Sequence, residues 1–200
     1  MNTFRRALTR ILPIAVVAAL LALVLGVAAC SSNTQSGSSG TVTTPSPATA
    51  GASENITAPN FTGVDVLTAK NVSLVDYQGS VVLLNFVNSG MTQGASNIVA
   101  KQVEAIQELR SERTDFVSIS VVTCGCFTPD ELRDWANENS FDWTWIIDTQ
   151  LVRNAGYQRY VAEYGYPALV VIGPDQSLRQ VSGYADVSTL SGMIDDALKS

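Results

Sequence analysis

The chain has 200 residues, with 12 Lys and Arg against 18 Asp and Glu, three cysteines and no histidine. A net charge of −6 argues against nucleic acid or anionic lipid head groups as direct partners, and the missing histidine removes the commonest metal ligand and the usual side-chain base near neutral pH. Cys30, Cys124 and Cys126 are left as the residues from which chemistry would come.

Arg5, Arg6 and Arg10 precede an uncharged apolar run from Ile11 to Ala29, the layout of a secretory signal peptide over residues 1–29. The run closes on Val27-Ala28-Ala29-Cys30, which resembles the bacterial lipobox; the resemblance implies cleavage before Cys30 and a thioether lipid on its sulfur. The run also approaches the ~20 residues that span a bilayer, so an uncleaved membrane anchor is the alternative. Either way the remainder is expected outside the cytoplasm, lipid-anchored at the membrane in the first case. Without the three signal arginines, nine basic residues face 18 acidic ones, a net charge of −9. Residues 30–54 are almost all Ser, Thr, Gly, Ala and Pro, bury too little apolar surface to repay ordering, and read as a flexible tether reaching roughly 25–30 Å. Residues 55–200 then suffice for one domain with a real core.

Within that domain, Val81 to Val87 is a continuous apolar run suited to a strand buried on both faces. The small and polar stretch Asn88 to Gly94 follows, and Ile98, Val99, Val103, Ile106 and Leu109 recur at helical spacing. Phe116 to Val122 is a second buried strand. Its exit, Cys124-Gly125-Cys126-Phe127-Thr128-Pro129-Asp130-Glu131-Leu132, carries a helix start: Thr128 as N-cap, Pro129 at the first helical position, Glu131 closing a capping box, and Phe127 against Leu132 as a staple. A third strand is predicted over Trp143 to Ile147, with Trp143 and Trp145 on one face as core. A helix or turn follows over Leu151 to Ala162, then a strand over Ala168 to Ile172, a hairpin through Gly173 to Gln176 into Ser177 to Tyr184, and a closing helix marked by Leu190, Met193, Ile194 and Leu198. Asp148, at a strand end, suits a turn or a cap and, as the alternative, a general base. This order of elements means an α/β fold, a mixed and mostly parallel sheet with an antiparallel edge, flanked by helices, whose reactive crevice lies at the strands' carboxyl ends. The elbows at Asn88–Gly94 and Cys124–Cys126 both lie at such ends.

Ala58-Pro59-Asn60-Phe61, the run Val72 to Phe86 (VSLVDYQGSVVLLNF), and Tyr164-Gly165-Tyr166-Pro167-Ala168-Leu169-Val170-Val171-Ile172 together resemble the thioredoxin-like redoxin family, of the alkyl hydroperoxide reductase/thiol-specific antioxidant and extracytoplasmic thiol–disulfide oxidoreductase type. The resemblance covers roughly Ala58 to Leu198. It implies a thioredoxin-like fold with an N-terminal strand or hairpin extension, a cis-proline at Pro167, and Tyr166 and Pro167 beside the substrate groove. It also implies a Cys-x-x-Cys or a single peroxidatic cysteine after the first long strand, where this chain has Met91-Thr92-Gln93-Gly94. A thioether has no ionisable proton and cannot replace a thiolate.

The remaining sulfurs, Cys124 and Cys126, therefore support three chemistries. They can exchange thiols with exported protein thiols and disulfides, using no cofactor. They can form an inert staple in a non-catalytic binding module. With Met91 they offer one thioether and two thiolates, a soft set for Cu(I). Gly90 and Met91 stand at the family's vacated position and are expected to line the substrate crevice.

Overall fold

The computed structural model describes residues 56–199; the signal segment, Cys30 and the tether expected over residues 1–54 lie outside the described residues. A short antiparallel hairpin, β1 (Thr62–Val64) with β2 (Asn71–Ser73), forms the predicted N-terminal extension. The main sheet follows, built from β3 (Val81–Val87), β4 (Phe116–Val122), β5 (Thr144–Ile147), β6 (Ala168–Ile172) and β7 (Leu178–Ser182) in the order β5-β4-β3-β6-β7. Strands β3, β4 and β5 pair in parallel, β6 runs against β3, and β7 runs against β6, so four strands share one direction. The helices are α1 (Ile98–Glu112), α2 (Pro129–Glu138), α3 (Gln158–Tyr164) and α4 (Val187–Leu198).

All seven residues of β3 are buried, and their alternation feeds two cores. Val81, Leu83 and Val87 face the core built with α1, α2 and α4; Val82, Leu84 and Phe86 face the one built with Tyr157, with Tyr160 of α3, and with Phe61 and Leu74 near the hairpin. Each Val or Leu so buried contributes about 1.5–3 kcal/mol. Among the described residues, both cores and every strand pair lie within residues 56–199. Trp143 and Trp145 share the first core as expected, stacked at 5.3 Å between centroids. The Trp143 indole N–H is satisfied by Ser120 Oγ at 2.9 Å.

Two expectations change. Ile98 and Leu198 stand 43% and 42% exposed, because each is a terminal residue of its helix and lies off the buried stripe. The helix or turn expected over Leu151 to Ala162 is both: two short 3-10 turns at Thr149–Leu151 and Ala155–Tyr157, then α3 from Gln158. Gln150 and Leu151 adopt φ of 59° and 53°, which breaks helical continuation there.

Candidate functional site at the carboxyl ends of two central strands

Strands β3 and β4 finish side by side, with Val87 opposite Val122. Thr123, the first residue beyond β4, anchors the cysteine loop to both strands. Its N–H donates to the Val87 carbonyl at 3.0 Å, and its Oγ1 lies 3.1 Å from that carbonyl and 2.6 Å from the Tyr166 hydroxyl. A carbonyl only accepts, so the Thr123 proton goes to Val87 and the Tyr166 O–H donates to Thr123. The Tyr166–Pro167 peptide is cis, as the family resemblance implied. Phe86 pairs with Ala168, so Pro167 sits at the end of β3. One buried threonine thus ties the end of β3, the proline loop and the residue preceding Cys124. Sequence reasoning passed over Thr123; its only local signal was a hydroxyl at the end of an apolar strand.

Cys124 and Cys126 form a disulfide across Gly125, with Cα atoms 5.2 Å apart, inside the usual range. The two sulfurs differ in setting. Cys124 is half-buried against the core of α1, α2 and α4, whereas Gly125 and Cys126 are exposed. The loop is held from the far side by Gln150, whose N–H donates to the Thr123 carbonyl at 2.8 Å.

At the other elbow, Gly90 and Met91 are buried. Asn88 Oδ1 accepts the Gly90 N–H at 2.9 Å, and Asn97 Oδ1 caps α1 at the Val99 N–H, 2.8 Å. A Cβ at Gly90 would meet both caps, at 3.0 and 2.8 Å from Asn88 Oδ1 and Asn97 Oδ1, so a larger residue there would displace them. Met91, 4% exposed, lines a cavity of about 150 Å³ with Val103, Trp135 and Phe141. Asp148 is used up structurally: its carboxylate accepts the N–H groups of Arg153 and Asn154 and the Asn154 side-chain amide, at 3.0, 2.9 and 2.8 Å.

The capping box that starts α2 is complete. Thr128 N–H donates to Glu131 Oε2 at 2.8 Å, and Glu131 N–H to Thr128 Oγ1 at 3.3 Å. Phe127 packs on Trp135, 6.3 Å between centroids, holding the loop between Cys126 and the helix. Asp130 and Glu131 in the first turn offset the positive end of the helix, so it offers Cys126 little thiolate stabilisation. The Thr128 N–H, and then its hydroxyl, hold the Glu131 carboxyl below the usual carboxylate range. A depressed pKa gives stability above the unfolded value of about 4.3 that is lost as pH falls through the folded value. Glu131→Gln is therefore expected to melt below the parent at neutral pH, with the gap closing as the buffer is taken well into the acid range. Thermal melts of both proteins across that range check it; a gap independent of pH removes the ionic part of the box.

A model of the AhpC/TSA family matches residues 55–181. No curated protein matches the chain in sequence. Among solved structures, a DsbF homologue from Corynebacterium diphtheriae is 18% identical at a TM-score of 0.59, covering 72% of this chain and 87% of its own. A secreted thiol-disulfide isomerase from Corynebacterium glutamicum is 14% identical at 0.57, covering 72% and 86%. A putative protein disulfide isomerase from Bacteroides thetaiotaomicron is 20% identical at 0.57, covering 73% and 90%. These likenesses establish a thioredoxin-like fold.

Proposed function

The chain belongs to the AhpC/TSA family, and on that footing we propose that it is a membrane-anchored, extracytoplasmic thiol–disulfide exchange protein that works through Cys124 and Cys126. The observation that carries this reading is Cys126, an exposed residue in a disulfide at the end of β4, tied through Thr123 to the cis-proline loop. The tether and the lipobox-like Cys30 support anchoring outside the cytoplasm.

In the oxidising direction, a substrate thiolate attacks Cys126 Sγ, the accessible sulfur. The Cys124–Cys126 bond breaks and Cys124 leaves as thiolate. A second substrate thiolate then attacks the substrate sulfur of the mixed disulfide and releases the Cys126 thiolate. The substrate loses two electrons and two protons and gains a disulfide; the protein ends as a dithiol. Reduction runs the same steps backwards. Tyr166 and Pro167, tied to the cysteine loop through Thr123, shape the wall of the proposed substrate groove, whereas Gly90 and Met91 at the other elbow are buried. Met91 supplies no nucleophile, so peroxide reduction at the family's usual position is not open to this chain.

Equilibration of the soluble domain, residues 54–200, with graded thiol–disulfide buffers tests the reading. The Cys124–Cys126 pair is expected to titrate near or above about −200 mV, where exchange catalysts work, whereas structural bridges lie below about −300 mV. A value in the second range makes the pair a staple and the domain a binding module.

A further inference from the structure

Thr123 is 5% exposed and stands between the last residue of β4 and Cys124. Its main chain is held from both sides, its N–H by the Val87 carbonyl at 3.0 Å and its carbonyl by the Gln150 N–H at 2.8 Å. Its hydroxyl is held as well. It donates to the Val87 carbonyl at 3.1 Å and accepts from the Tyr166 hydroxyl at 2.6 Å, so Thr123 cannot turn without stranding partners on β3 and on the proline loop. Cys124, next along the chain, is half-buried against the core. Cys126 stands differently. Gly125 and Cys126 are exposed, and a Cβ at Gly125 would meet only Thr149 Cγ2, at 3.9 Å, so open space surrounds the link between the two cysteines.

A dithiol closes to a disulfide at a rate set by how often its two sulfurs meet in the right geometry, and a sulfur already held in place raises that frequency. We propose that Thr123 is the positioning residue of the cysteine pair: its hydroxyl, clamped between Val87 and Tyr166, holds Cys124 where Cys126 finds it, and so sets the rate of ring closure and the reduction potential. This deepens the exchange reading and rests on it for its purpose, whereas the closure itself can be driven by any small disulfide. Freeing Cys124 lowers the effective concentration of one thiol at the other, which disfavours the closed form and raises the potential.

Dithiodipyridine, an uncharged disulfide, separates the steps. It is added in equimolar amount to the reduced full-length chain, with Cys30→Ser in every sample so that Cys124 and Cys126 are the only thiols. The Cys126 thiolate first takes one thiopyridine and releases one thiopyridone. The Cys124 thiolate then attacks the Cys126 sulfur, forms the Cys124–Cys126 bond and expels the second. The two cysteines lose two electrons and two protons, and the reagent is reduced to two molecules of thiopyridone. In Thr123→Val, which keeps the volume and loses the hydroxyl, the second phase is expected to slow by about tenfold relative to the first, the weight of one to two hydrogen bonds. The equilibrium with glutathione is expected to move toward the dithiol by a like factor, about 30 mV.

Thr123→Ser keeps the hydroxyl and is expected to restore the parent ratio of the two phases. Tyr166→Phe is expected to give part of the slowing and, combined with Thr123→Val, to add nothing, because the two residues share one bond. An unchanged ratio in Thr123→Val, equal slowing in Thr123→Ser, or an additive double variant overturns the proposal. Should Thr123→Val not fold, a parent-like ratio in Tyr166→Phe does the same. A parent potential below about −300 mV instead ends the exchange reading, whatever the ratio.

Discussion

Cys124→Ser is expected to accumulate mixed disulfides between Cys126 and exported proteins, whereas Cys126→Ser accumulates few and the double variant none. The asymmetry follows from burial. Cys126 is exposed on the loop, and a macromolecular sulfur can reach it; Cys124 is half-buried against the core of α1, α2 and α4. With Cys124 gone, Cys126 can still open a substrate disulfide, but the group that would resolve the product is missing and the adduct persists. With Cys126 gone, the remaining thiol meets only small reagents. Non-reducing gels and mass spectrometry of the full-length chain isolated from the cells that produce it read the adducts. The change runs from no covalent partner in the parent to a stable population in Cys124→Ser. Trapping by Cys126→Ser instead would exchange the two roles, and trapping by neither would leave Gly125 and its flanking cysteines as a loop closure only.

The largest loss of stability is expected from Asp148→Ala. Asp148 is 4% exposed and stands at the carboxyl end of β5, where it accepts from Arg153 N–H, Asn154 N–H and Asn154 Nδ2. Asn154 in turn accepts the Thr62 N–H at 2.8 Å and donates to the Thr62 carbonyl at 3.1 Å. One carboxylate therefore fixes the turn after β5 and, through Asn154, the first residue of β1. Removing it strands buried donors, each costing about 1–3 kcal/mol, so a total of about 3–5 kcal/mol and a fall in melting temperature of roughly 10–20 °C are expected. Asp148→Asn keeps the volume and one acceptor and should recover part of the loss. The alternative role, a general base, is tested in the same samples. Below the melting point, the rate of reaction with dithiodipyridine per folded molecule is expected to match the parent; a folded but unreactive Asp148→Asn would make the carboxylate part of the chemistry.

Those parts of the molecule that are written locally are legible in the chain alone. The apolar runs at Val81 to Val87 and Phe116 to Val122 are short, rich in β-branched residues and without the alternation that marks a solvent side, as strands covered on both faces are, and both are buried in the sheet. Thr128, Pro129 and Glu131 set the start of α2 to the residue, because a capping box is complete within four positions. Tyr166-Pro167 and the motifs around it carried the fold family in the same way.

Which sulfur meets a partner is a matter of packing, since the same Cys-Gly-Cys spacing permits either to face the core. Thr123 and Tyr166 lie 43 residues apart, Thr62 and Asn154 lie 92 apart, and no local pattern pairs such residues. The hairpin likewise reaches β5 only through packing, where the Val66 N–H donates to the Trp145 carbonyl at 2.9 Å. Periodicity and capping are properties of neighbours within a few residues along the chain, whereas the site is made by side chains that packing brings together from distant segments.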